Sequence, residues 1–152
     1  MNHTELIAKK IAEVLERAGI EAAVEEGGRP EDVSSYFNVV TPDGRLLIGS
    51  RAENLFAFEY LIKRLVEKET GELGVKFLVD INGYRLHRLE ELKEEVKRVA
   101  KKVRLYRKEI VLKPMSPFER RTVHTVLSEY PDITTESIGE GEGRRVVIKP
   151  YP

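Results

Sequence analysis

The chain has 152 residues, 41% hydrophobic and 34% charged, with no cysteine and a formal net charge of zero. That is material for one ordinary domain or two small ones, and it excludes a disulfide framework and a cysteine-based zinc site. No apolar run reaches the roughly 18–20 residues of a membrane span, and no signal-peptide core precedes the first helix pattern, so the sequence reads as cytoplasmic with no membrane insertion.

The zero net charge conceals an asymmetry. Residues 1–80 hold 10 Lys and Arg against 15 Asp and Glu, whereas residues 81–152 hold 16 against 11. Within 97–113 there are eight basic residues and one acid, Glu109. Such a run is either a solvated helix face or a surface for a polyanion.

Taken in order, residues 5–18 predict an amphipathic helix with Ile7, Ile11, Val14, Leu15 and Ala18 on one stripe, closed by Gly19. Ile20, Ala22 and Val24 alternate as a short strand, and Gly27-Gly28-Arg29-Pro30 reads as a loop. Residues 35–41 are aromatic and β-branched, a second strand, followed by the turn Pro42-Asp43-Gly44. After Leu46-Leu47-Ile48-Gly49-Ser50-Arg51-Ala52 comes a strong helix over about 53–67, with Leu55, Phe58, Ile62, Leu65 and Val66 inward. Val75, Phe77, Val79 and Ile81 alternate as a third strand, and Asn82-Gly83 breaks the chain.

A long helix follows from about 84 to 104, with Leu89, Leu92, Val96, Val99, Ala100 and Val103 on its apolar face. Ile110-Val111-Leu112 is a strand. Ser116-Pro117-Phe118-Glu119 is a capping box with Pro at the first helical position, and its helix is expected to run to about Tyr130. Strands at about 133–138 and 144–149 flank the hairpin tip Gly139-Glu140-Gly141-Glu142-Gly143. The class is α+β. The order α-β-β-α-β and then α-β-α-β-β, with the charge shift, divides the chain into residues 1–82 and 83–152.

Arg120 and His124 lie four apart and therefore on one helix face. Val123, Val126 and Leu127 fall elsewhere and can hold that helix to a core, leaving the cation and imidazole exposed together. Arginine offers a forked donor for phosphate, and histidine a donor and a flat ring for a base. Read alone, the pair is equally an ordinary surface arginine and a half-exposed histidine.

From this point the chain resembles the bacterial Jag-like proteins, which join a KH domain to a domain named for the Arg-x-x-x-His motif (R-3-H). The matching stretches begin with Leu47-Ile48-Gly49-Ser50-Arg51, then Asp80 with Gly83-Tyr84-Arg85-x-x-Arg88. They continue with Pro114-Met115-x-Pro117-x-Glu119-Arg120-Arg121-x-Val123-His124 and Thr134-Thr135-Glu136-Ser137-x-Gly139, and end with Arg144-Arg145-Val146-Val147-Ile148-Lys149-Pro150. The resemblance implies a type II KH-like unit over 1–82 and an R-3-H unit over 83–152. It implies single-stranded RNA binding, with single-stranded DNA the other candidate, and a regulatory role linked to cell elongation or division. It does not imply catalysis. A second KH protein is the expected partner if the acidic first half is instead a docking surface. Family members often carry a further N-terminal domain, which this chain is expected to lack.

The nucleic-acid contacts expected on these grounds are Arg120, His124, Arg121, Arg85, Arg88, Lys108, Ser137 and Arg144, with Gly49, Ser50 and Arg51 in the first unit. A KH domain clamps backbone phosphates with a Gly-x-x-Gly loop between two helices. Here the loop reads Gly49-Ser50-Arg51-Ala52, with Ala in place of the second glycine. If residue 52 must be left-handed, Ala costs on the order of 1 kcal/mol; if it only begins the next helix, Ala is harmless. Leu46, Leu47, Ile48 and Leu55 either line an apolar groove for bases or are plain core. Arg85 and Arg88 either contact nucleic acid or pair along the helix with Glu91, Glu94 or Glu95. His3, His87 and His124 lack ligand spacing, so no metal is expected; no cofactor loop or nucleophile elbow is present either.

Overall fold

Asn2 opens the first helix, α1 (His3–Arg17), by accepting a 2.8 Å bond from the Glu5 N–H. At its far end Gly19 is left-handed (φ 72°), Gly19 N–H reaches Glu16 and Ile20 N–H reaches Leu15. These two bonds satisfy carbonyls that the helix end leaves orphaned. The computed structural model describes residues 2–27 and 35–152. Gly28, Arg29 and Pro30 of the expected loop lie outside the described residues.

The chain forms two compact units, Met1–Leu86 and His87–Pro152, and its class is α+β. In the first, β1 (Ala23–Glu26) runs antiparallel to β2 (Tyr36–Val40), which pairs in parallel with β3 (Leu78–Ile81). Between β2 and β3 lie α2 (Gly44–Ile48), a 3-10 turn (Ser50–Ala52) and α3 (Glu53–Thr70). The helical turn of α2 is an element the apolar run Leu46-Leu47-Ile48 left unassigned. Strand β3 is shorter than the alternation from Val75 predicts. Its partner offers five residues and the register sets Tyr36 against Leu78, so the ladder starts there. Phe77 is still buried, and Val75 packs against the same core. Ile7, Ile11, Phe37, Val39, Leu55, Ile62, Val79 and Ile81 form that core.

Helix α4 (Tyr84–Tyr106) carries Leu92, Val96, Ala100 and Val103 into the second core. There β4 (Ile110–Val111) and β5 (Ile133–Ile138) flank the central strand β6 (Arg145–Pro150), both antiparallel to it. Helix α5 (Pro117–Leu127) packs on this sheet through Val123 and Leu127. It ends three residues earlier than expected. Ser128 bonds back to Thr125, and Tyr130 precedes a proline, which disfavours helical backbone. Among the described residues no helix is long and apolar enough to cross a membrane.

Candidate nucleic-acid interface

Ser116 sets the position of everything on α5. Its Oγ accepts from Glu119 N–H at 3.2 Å, and its own N–H donates to Glu119 Oε1 at 3.3 Å. With Pro117 at the first turn, the helix start is fixed, and so is the direction in which Arg120 and His124 project. Val123 and Leu127 are fully buried, which turns residues 120 and 124 toward β5.

Arg120 is half-buried, and its Nη1 donates to the Met115 carbonyl at 2.8 Å. One guanidinium donor is thus spent on holding the group, and the rest of the fork has no bond among the described residues. The His124 ring is bonded at both nitrogens to hydroxyls of β5: Nδ1 with Thr135 Oγ1, and Nε2 with Ser137 Oγ at 3.2 Å. The imidazole is therefore less exposed than the helix pattern alone suggests, because its nitrogen edge is turned into the strand. With both nitrogens engaged, stacking on the ring face is the contact left to it. Burial, and then the positive charge of Arg120, hold its pKa below the usual 6.5, so the neutral ring prevails at pH 7. A neutral imidazole donates from one nitrogen and accepts at the other, and two hydroxyls can serve both roles.

Residues 90–150 match the R3H domain family. Three relatives are named RNA-binding protein KhpB. The one from Clostridium symbiosum is 33% identical over 111 residues, covering 73% of this chain and 50% of the relative. That from Bacillus subtilis (strain 168) is 36% identical over 114 residues, covering 74% and 54%. That from Lactiplantibacillus plantarum is 30% identical over 134 residues, covering 84% and 41%. The chain carries an R3H domain and is similar to these Jag-like relatives. It spans about half the length of the first two of these relatives.

The other residues expected from the sequence sit in different settings. Ser137 is beside the imidazole. Arg121 is exposed, one residue along the helix, with its guanidinium 5.9 Å from the Phe118 ring centre. Arg144 is half-buried and donates to the Gly139 carbonyl at 2.7 Å, pinning the hairpin tip. Lys108 is exposed on the segment before β4 and makes no ion pair among the described residues. Arg88 is exposed and pairs with Glu91 at 3.6 Å, the helical pairing weighed above.

Arg85 has a different setting, in the first unit. Its Nη2 donates to Glu59 Oε2 at 2.8 Å and its guanidinium lies over Phe56. Its backbone N–H donates to both oxygens of Asp80, at 2.9 and 3.0 Å. Asp80 is fully buried and also accepts from the Tyr36 hydroxyl at 2.5 Å and the Ile81 N–H at 2.8 Å. The stretch Asp80…Gly83-Tyr84-Arg85 thus joins β3 to the start of α4.

The Gly49–Ala52 loop lies between α2 and α3. Gly49 has φ 72°, and a Cβ there would stand 2.6 Å from the Asn54 side chain. Ser50 and Arg51 are exposed. Arg51 and Ala52 are both left-handed, at φ 54° and 61°. Residue 52 does not simply begin the next helix: its backbone is left-handed, and Ala bears the cost. Its methyl is also buried in the core, 3% exposed, so packing offsets part of the strain. Leu55 is core, Leu47 and Ile48 pack against it, and Leu46 is exposed.

Sequence reasoning missed Thr135 and the Met115 carbonyl. Residues 133, 135 and 137 alternate to one face of β5, a signal that includes Thr135 once Ser137 is chosen. The Met115 carbonyl carries no side-chain signature.

Proposed function

We propose that this chain binds single-stranded RNA through the Arg120–His124 face of α5. The observation that carries the reading is the pair itself. A partly free guanidinium and a neutral ring stand one turn apart, each held by a bond to the scaffold. Phosphate takes the guanidinium fork and a base takes the ring face, with Arg121 and Lys108 adding to the positive field. The R3H domain match and the relatives named as RNA-binding proteins support this, as does the net-positive charge of residues 81–152.

The first unit is read as a type II KH-like domain over 1–82, joined to an R-3-H domain over 83–152. Its support is the order helix, strand, strand, helix pair, strand, with a Gly-x-x-Ala loop between the paired helices. The loop is a secondary contact through Gly49, Ser50 and Arg51. The protein is a binding module of the cytoplasm rather than an enzyme, and its regulatory role is in cell elongation or division. A second reading, in which the first unit docks a KH-type protein, is favoured by exposed Phe56, Tyr60 and Leu61 on α3. A stable complex formed by residues 1–86 without nucleic acid would favour it.

The test is an anisotropy titration against single-stranded RNA, single-stranded DNA and duplex RNA over a range of salt concentrations. Single-stranded RNA is expected to bind most tightly, with affinity falling steeply with salt as counterions are released. Arg120→Ala with His124→Ala is expected to weaken binding about 10- to 100-fold and to lower the salt slope by about 0.7 per lost phosphate contact. A folded double variant that binds like the parent refutes the assignment.

A further inference from the structure

The end of α4 carries a cluster that, Lys108 apart, the Arg120–His124 centre does not use. The helix stops at Tyr106, and Arg107 takes a left-handed conformation (φ 56°) with its N–H bonded to the Val103 carbonyl at 2.9 Å. Glycine is the usual residue in that position, because a Cβ there costs about 1 kcal/mol. Arginine brings a guanidinium instead, and its Nη2 donates to the Pro152 oxygen at 2.6 Å. The neighbouring Tyr151 is held by its own N–H, which donates to the Asp132 carbonyl at 2.9 Å. Tyr106 and Tyr151 are the chain neighbours of the two residues this bond joins, and they are 66% and 58% exposed.

The charges around them are sorted. Asp132 is taken by Arg104, Nε to Oδ2 at 2.8 Å, and Arg104 also lies over the Tyr130 ring. Lys101, Lys102 and Lys108 are exposed and make no ion pair among the described residues. Tyr106 lies four residues after Lys102 and two before Lys108, and an exposed ring with ammonium groups near it is what a single strand needs: rings for bases, ammonium groups for phosphates.

We propose that this cluster is a second contact for single-stranded nucleic acid, with Tyr106 and Tyr151 stacking bases and Lys101, Lys102 and Lys108 neutralising phosphates. It rests on the reading of the chain as a single-strand binder. An anionic membrane surface is the less suitable ligand. Of the exposed residues on α4 only Leu105 and Tyr106 are large and apolar, too few for an inserting face.

The test compares the full chain with Tyr106→Ala/Tyr151→Ala, with Tyr106→Phe/Tyr151→Phe and with Arg120→Ala/His124→Ala. The probes are a labelled single-stranded RNA of about 16 nucleotides, the upper range of such sites, and anionic phosphatidylserine vesicles. The alanine pair is expected to bind RNA about 10-fold more weakly with an unchanged salt slope, and the phenylalanine pair to bind like the parent. RNA affinity unchanged in the alanine pair, while Arg120→Ala/His124→Ala is impaired, overturns the stacking contact alone. Loss of vesicle binding without loss of RNA binding assigns the cluster to lipid and also overturns it. A parent chain that binds no single strand removes both readings.

Discussion

Ser137 Oγ stands 3.2 Å from His124 Nε2, so the imidazole is oriented by a strand eleven to thirteen residues downstream. Both partners lie on β5, and the helix contributes only the point of attachment. Replacing Thr135 by Val and Ser137 by Ala leaves both ring nitrogens unbonded. Each hydrogen bond contributes about 1 kcal/mol net. The double variant is expected to lose about 1–2 kcal/mol in urea denaturation. It is also expected to bind RNA more weakly than its stability explains, because the ring is free to turn. Parental stability and affinity together would remove the orienting role.

The lowered pKa of His124 links protonation to folding. The unfolded chain takes up the proton near 6.5, before the native chain does. The His124 contribution to stability is therefore complete above that value and is lost as pH falls through the lower native one. His124→Gln is expected to flatten this part of the stability profile. A phosphate bound beside the ring favours the charged form, so RNA is expected to raise the His124 pKa and to bind more tightly as pH falls. An NMR titration of the His124 ring protons, free and RNA-bound, measures both; an unmoved midpoint on binding contradicts the phosphate contact.

The loop before α3 makes a prediction with opposing terms. Ala52→Gly relieves a left-handed alanine, worth about 1 kcal/mol, and removes a buried methyl worth about 0.8 kcal/mol. The net change is expected within about 1 kcal/mol of zero. Gly49→Ala has no such compensation: the backbone is left-handed and the new methyl meets Asn54. It is expected to cost more than about 1 kcal/mol. Calorimetry on the two variants separates the cases, and equal effects would contradict the geometry described.

Asp80 is the buried acceptor on which the start of α4 is built. Asp80→Asn keeps the shape but presents an NH2 group to donors that need an acceptor, the Tyr36 hydroxyl or the Arg85 N–H. An unsatisfied buried group costs about 1–3 kcal/mol, so the first unit is expected to lose at least that much. Hydrogen exchange is the measurement of choice. Amides of β2 and β3 should lose protection while those of β5 and β6, in a separate core, keep theirs.

The one-dimensional signals did much of the work of locating elements. The stripe Ile7, Ile11, Leu15 and the box Ser116–Glu119 are local, with each residue's partner within a few positions, and the structure places helices there. The alternation from Val75 overstates β3, because the strand's length is set by β2, whose paired residues lie 42 positions upstream. Arg85 was open between nucleic acid and a helical partner, and the structure gives it Glu59 instead. That partner is twenty-six residues upstream on another helix, and no spacing rule reaches it.

The sequence by itself determined the α+β class, the starts of α1 and α5, the shared face of Arg120 and His124, and the charge asymmetry. These follow from helical periodicity, capping and composition, all of which act over short stretches of chain. The tertiary structure alone decided that the imidazole edge turns into β5, that residue 52 is left-handed, and that Arg107 reaches the Pro152 oxygen. Each of these depends on which side of a helix meets which strand. Such contacts form only when the cores close and bring distant segments to within hydrogen-bond reach.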